Sequence, residues 1–142
     1  MKKLILFSLM VIGMMATTFA QQKTLKTVEN GTVLLDTVTN VESEYLYGVQ
    51  TAGVVNKLAL QLVATKISGT PNALCTIEFS LDGTNYDPIN SNDTFHISNV
   101  SGAQTHIWYT TAAPTYHYRI KVEGRGVAAI QIKGWEAIRK DQ

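Results

Sequence analysis

The chain is short of cysteine and proline, with Cys75 alone and three prolines among 142 residues. A single cysteine excludes an internal disulfide and any paired-cysteine metal or redox motif, so the fold has to hold by packing. Charge of either sign is also sparse. Lys and Arg number 12 against 11 Asp and Glu, and removing Lys2 and Lys3 leaves ten basic residues against eleven acidic ones. That balance lacks the basic patch or stripe that marks nucleic-acid binding, so no nucleic-acid partner is expected. No Gly-x-Ser-x-Gly elbow occurs, no cofactor motif stands out, and beyond the N-terminus no segment keeps apolar residues at a sustained helical period.

What is present begins with Lys2 and Lys3, an apolar stretch from Leu4 to Ala16, and Thr17-Thr18-Phe19-Ala20 before Gln21-Gln22. This is the order of an export signal: a basic start, an apolar middle and a small residue at the cut, placed here after Ala20. The apolar stretch is shorter than the roughly 20 residues that cross a bilayer, and no cysteine sits at the cut to carry a lipid. Residues 1–20 are therefore read as a signal peptide and 21–142 as one domain. The mature chain is expected to be exported to periplasm, cell surface or medium, without stable membrane insertion.

The rest alternates. In Leu74 to Leu81, Cys75, Ile77, Phe79 and Leu81 share one face, with Thr76, Glu78 and Ser80 on the other. Tyr116 to Glu123 sets Tyr116, Tyr118, Ile120 and Val122 against His117, Arg119, Lys121 and Glu123. Lys57 to Thr65 is apolar on both sides, which marks a central strand. Further strands are expected at Thr32–Thr37, Glu44–Val49, Thr94–Ser98, Thr105–Thr110 and Val127–Ile132. Asp82-Gly83 and Gly124-Arg125-Gly126 read as tight turns joining strands. Pro88 and Pro114 lie outside the strong runs. Gly134 reads as a bulge, because the alternation of Ile130 and Ile132 would otherwise carry Glu136 into the core. Some eight short strands joined by turns predict an all-β, antiparallel β-sandwich of jelly-roll or immunoglobulin-like type.

Chemistry is thin. His96, His106 and His117 lack the close spacing of a zinc motif. Asp82, Asn85 and Asp87 form an oxygen-rich loop that reads as turn chemistry, lacking the acidic pattern of an EF-hand calcium loop. Cys75 falls on the core face and is expected to be inert. Glu78, Asp87, Glu123 and Glu136 supply glycosidase-type carboxylates by count alone. No catalytic residue, metal ligand or cofactor is therefore assigned, and the chain is read as a non-enzyme. The aromatics Tyr45, Tyr47, Tyr86, Trp108, Tyr109 and Trp135 could pack against a sugar ring or a partner surface. Trp108, sharing a face with His106 and Thr110, is the first candidate contact residue; Trp135, Tyr86 and Tyr109 complete the candidate set. The row His117, Arg119 and Lys121 reads as a solvated strand face that could meet an anionic partner.

Phe79-Ser80-Leu81-Asp82-Gly83-Thr84-Asn85-Tyr86 resembles a strand-and-turn signature of two kinds of β-sandwich protein: bacteriophage capsid, tail and head-decoration modules, and discoidin-like carbohydrate-binding domains. Tyr118-Arg119-Ile120-Lys121-Val122 with Gly124 and Gly126 is similar to a late strand and turn of the phage-type domains. The two patches cover under a fifth of the mature chain. The resemblance implies a non-enzymatic structural or binding module, virion-associated, with a secreted or periplasmic carbohydrate-binding domain as the alternative. The expected partner is a protein or glycan surface, and unpaired strand edges allow homo-oligomers.

Overall fold

The computed structural model describes residues 21–27, 36–49, 57–88, 93–110 and 117–139, except the side chains of Gln21 and Arg139. The expected signal segment, Pro114 and Tyr116 lie outside this set. Among the described residues ten strands are formed: β1 (Gln21–Thr24), β2 (Asp36–Thr39), β3 (Ser43–Val49), β4 (Lys57–Gly69), β5 (Ala73–Ser80), β6 (Asp87–Pro88), β7 (Phe95–Ile97), β8 (Gln104–Thr110), β9 (His117–Gly124) and β10 (Ala128–Arg139). Among the described residues no helix is long and apolar enough to cross a membrane.

Two five-stranded antiparallel sheets face each other. The first runs β1-β10-β4-β8, with β2 sharing the β1 edge of β10; the second runs β3-β9-β5-β6, with β7 sharing the β6 edge of β5. Apart from the β5-β6-β7 hairpins, each successive strand from β2 onward crosses to the opposite sheet. This is the two-Greek-key order of a jelly roll, which settles the sandwich type in its favour.

Alternation puts the core between the sheets. Leu58, Leu60, Leu62 and Ala64 of β4 and Ile130 and Ile132 of β10 turn inward to meet Cys75, Ile77 and Phe79 of β5 and Tyr118, Ile120 and Val122 of β9. Strand β4 is central, as its two-sided apolarity requires, held between β10 and β8. Burying a side chain of this size contributes about 1.5–3 kcal/mol, so this double row supplies the main cohesion of a fold without cross-links.

Five expectations need correcting. Strand β10 does not stop at Ile132 but runs to Arg139, and its register irregularity falls between Ala129 and Ile130. Gly134 stays in register with Leu62, and a Cβ there would lie 2.9 Å from Leu25 Cδ1 and 3.0 Å from Leu46 Cδ1; it is glycine because two leucines pack onto it. Gly124-Arg125-Gly126 does not close a hairpin, since β9 and β10 belong to different sheets; it arches between them. Leu81 leaves the core face at the end of β5 and is 72% exposed. The second strand is found at Asp36–Thr39, residues 32–35 lying outside the described set.

The N-terminal segment closes one side of the sandwich. β1 pairs with the end of β10, the Leu25 N–H donates to the Gly134 carbonyl at 2.9 Å, and Lys26 bridges to Tyr47 of β3 in the other sheet. Leu25 is fully buried in that seam.

Candidate functional site

The outer face of the first sheet carries a groove of about 380 Å³, within the size range of small-ligand sites. Its plan follows from strand register. One row across the sheet is Gln22, Ala137, Ala59 and Tyr109; the next is Thr24, Trp135, Gln61 and Ile107; a third holds Lys133, Val63 and Thr105. Ala137 and Ala59 form a low floor between taller neighbours. Tyr109 is 75% exposed and Ile107 40%, while Trp135 is half-buried at its base. Two residues along the strand and two strands across separate Tyr109 from Trp135, about 12 Å between backbones. Gln22 and Gln61 supply amides that donate and accept. Lys133 Nζ stands 5.0 Å from the centre of the Trp135 ring, a cation–π distance.

Of the four aromatic residues singled out from sequence, the structure brings two together here, Trp135 and Tyr109. The other two lie elsewhere. Trp108 is not a surface residue: it is 1% exposed, packs edge-on against His106 at 4.6 Å, and donates its indole N–H to the Asp93 carbonyl at 3.2 Å. The polar look of His106 and Thr110 misleads, because these residues pair with Leu62 and Leu58 and so face inward. Tyr86 lies against the outer face of the second sheet. There the Arg119 guanidinium is stacked between Tyr45 at 4.1 Å and Tyr86 at 3.9 Å, and its NH2 nitrogen meets Glu78 Oε2 at 2.6 Å. This aromatic cluster already stacks on a cation of its own chain. Ile107, Gln22, Gln61, Ala59 and Ala137 were missed, since no motif marks them and only the pairing register makes them neighbours.

Three of the four carboxylates have partners of their own, and Asp87 stands exposed on β6. Glu78 is held by Arg119, Glu123 lies 3.4 Å from Lys121 Nζ and 3.0 Å from Arg125 Nε, and Glu136 points into the core. Glu136 is 1% exposed; its Oε2 accepts a short hydrogen bond from the Tyr118 hydroxyl, and its Oε1 meets Lys23 Nζ at 3.4 Å. Burial raises its pKa above the ordinary carboxylate range, outweighing the Tyr118 hydrogen bond and the Lys23 charge that lower it. The same burial, with the Glu136 charge beside it, pushes the Tyr118 hydroxyl well above its ordinary value. Gly48 makes the pair feasible, because a Cβ there would collide with the Tyr118 ring.

The three histidines are separated: His106 faces inward, stacked on Phe95 at 4.9 Å, while His96 pairs with Leu74 and His117 with Ser80 at opposite ends of β5. Burial pushes the Cys75 thiol up to about 12. The Ser80-x-Asp82-Gly83 signature is a self-capped turn. Ser80 Oγ accepts from the Gly83 N–H at 2.9 Å, Asp82 Oδ1 accepts from the Thr84 and Asn85 N–H groups at 2.8 Å each, and Gly83 takes φ 73°. These hydrogen bonds hold the Asp82 carboxyl well below its usual range.

No protein-family model and no curated protein matches this chain. Solved structures match in fold. Tailspike protein 4 of bacteriophage CBA120 aligns at TM-score 0.52 and 12% identity, over 84% of this chain and 18% of that one. The CBM22-1 xylan-binding domain of Paenibacillus barcinonensis Xyn10C aligns at TM-score 0.50 and 10% identity, over 89% of this chain and 100% of that one. A family 29 carbohydrate-binding module complexed with cellulohexaose aligns at TM-score 0.50 and 10% identity, over 86% of this chain and 93% of that one. The chain is thus an all-β antiparallel sandwich of the architecture used by carbohydrate-binding modules and by a phage tailspike domain.

Proposed function

We propose that this protein is a non-catalytic carbohydrate-binding domain that works outside the cytoplasm and takes a glycan chain into the groove on the outer face of its first sheet. The observation that carries this reading is the groove itself: an alanine floor with Trp135 and Tyr109 on either side and Gln22 and Gln61 within reach. Sugar rings present apolar C–H faces and a rim of hydroxyls. Aromatic rings bind the former by stacking, and amides bind the latter by donating and accepting. The separation of Trp135 and Tyr109 exceeds one pyranose ring, so the pair suits an oligosaccharide better than a monosaccharide. The likeness to carbohydrate-binding modules supports the reading at the level of fold. Export is supported by Lys2 and Lys3, the apolar stretch and Ala20.

The test is a screen of soluble oligosaccharides against the processed protein. Trp135→Ala and Tyr109→Ala are each expected to weaken binding at least tenfold with the unfolding midpoint nearly unchanged. Undiminished binding by both variants would remove the groove from the account.

A virion structural module is the second reading. It draws on the tailspike likeness and on β8, whose outer edge has no partner strand among the described residues and whose outer face shows Ile107 and Tyr109. That reading expects a protein contact through β8, abolished by Ile107→Lys, and no glycan binding.

A further inference from the structure

We propose that the groove prefers acidic glycans, those bearing uronate or similar carboxylate groups, and that Lys133 is the residue that reads the charge; this rests on the carbohydrate-binding reading above. The sandwich is electrically lopsided. The strands of the first sheet, β1, β2, β4, β8 and β10, carry Lys23, Lys57, Lys66, Lys133 and Arg139 against two carboxylates, Asp36 and Glu136. Alternation turns both of these away from the groove: Asp36 pairs with the buried Ile132, and Glu136 is buried against Tyr118. The strands of the second sheet reverse the balance, with Glu44, Glu78, Asp87 and Glu123 against Arg119 and Lys121. Among the described residues the outer face therefore presents the cations Lys57 and Lys133, and Glu136, though it borders the groove, keeps its side chain buried at 1% exposure.

Position makes one of those cations decisive. Lys66 donates to Asn99 Oδ1 at 2.9 Å, and Lys23 is turned toward Glu136. Lys133 lies on the outer face, two residues before Trp135, with its ammonium 5.0 Å from the indole centre. A ring stacked on Trp135 thus brings its own substituents to the ammonium. A hydroxyl there accepts from the ammonium as a neutral group, whereas a carboxylate accepts as an anion and adds the attraction of opposite charges. Among the described residues no exposed acid lies on this face to repel the ligand.

The experiment measures binding, at low salt, to a panel of oligosaccharides each supplied as the free uronate and as its methyl ester, so that charge changes while the backbone stays the same. The uronate is expected to bind about tenfold more tightly than its ester, the ratio made by a contact of about 1.4 kcal/mol. The ratio should shrink as salt screens the contact, and in Lys133→Gln it should fall to near one. Equal or better binding of the ester overturns the preference and leaves the carbohydrate-binding reading intact. A preference that survives Lys133→Gln overturns the role of that residue. Binding of neither form anywhere in the panel overturns both the preference and the reading beneath it.

Discussion

Removing one oxygen from the Tyr118 ring should reveal how the core tolerates a carboxylate. The hydroxyl of Tyr118 donates to Glu136 Oε2, both residues are 1% exposed, and the other oxygen of Glu136 meets Lys23 at 3.4 Å. In Tyr118→Phe the carboxylate stays buried without this donor. A hydrogen bond to a charged group contributes about 1.5–3 kcal/mol, so a loss in that range is expected at neutral pH. With a urea m-value of about 1–3 kcal/mol/M for a protein this small, the midpoint falls by roughly 1 M with an unchanged slope. The pH dependence carries the sharper test. The folded-state pKa of Glu136 is raised, chiefly by burial. Its contribution is therefore fully favourable below the ordinary carboxylate range and is lost as pH rises through the raised value. In acid the neutral carboxyl keeps only a neutral hydrogen bond with Tyr118, and the cost of Tyr118→Phe should drop to about 1 kcal/mol. Urea unfolding of both proteins near pH 4 and near pH 8 reads this directly. A cost that is the same at both pH values, or below about 0.5 kcal/mol at pH 8, would refute the reasoning.

Three further outcomes are expected. Gly48→Ala puts a methyl group into the Tyr118 ring and should destabilise by about 1–3 kcal/mol, as core overpacking does, measured by the same unfolding assay. Trp108→Ala should lower stability by about 3–5 kcal/mol through the cavity it leaves, while any glycan binding at a temperature where it remains folded should persist. Cys75, fully buried with its thiol pushed up to about 12, should resist a thiol reagent at pH 8 in the native protein and react once urea unfolds it; fast labelling of folded protein would contradict its placement.

The strands were legible wherever one face was plainly apolar. Cys75, Ile77 and Phe79, or Tyr118, Ile120 and Val122, repeat every second residue and face the core as read. Strand β8 was not legible in the same way, because His106 and Trp108 alternate with Ile107 and Tyr109 and neither row is clearly apolar. Only its pairing with β4, which sets Trp108 beside Leu60, decides that Trp108 is core and Tyr109 surface. Pairing register is a long-range property, and local alternation does not contain it. Glu136 shows the converse. Alternation pointed it inward, and an acid there argued for a bulge instead. The structure keeps the alternation and meets the acid with groups far from it in the chain, the Tyr118 hydroxyl bonded to one oxygen and the Lys23 charge near the other, which makes no hydrogen bond among the described residues. The groove was half legible, as exposed aromatics without a shared face. Its floor of Ala59 and Ala137 looks like ordinary strand until three strands are laid side by side.

The most direct test of the central claim uses the two tryptophans as internal reporters, since one lies in the groove and the other in the core. The indole N–H signals of ¹⁵N-labelled protein, assigned with a Trp135→Phe variant, would be followed by NMR while a bound oligosaccharide from the screen is titrated in. The Trp135 signal is expected to move with saturation while Trp108 stays in place. A shift at Trp108 with Trp135 unmoved, or saturable shifts confined to the Arg119 face, would place the binding site elsewhere and contradict the account.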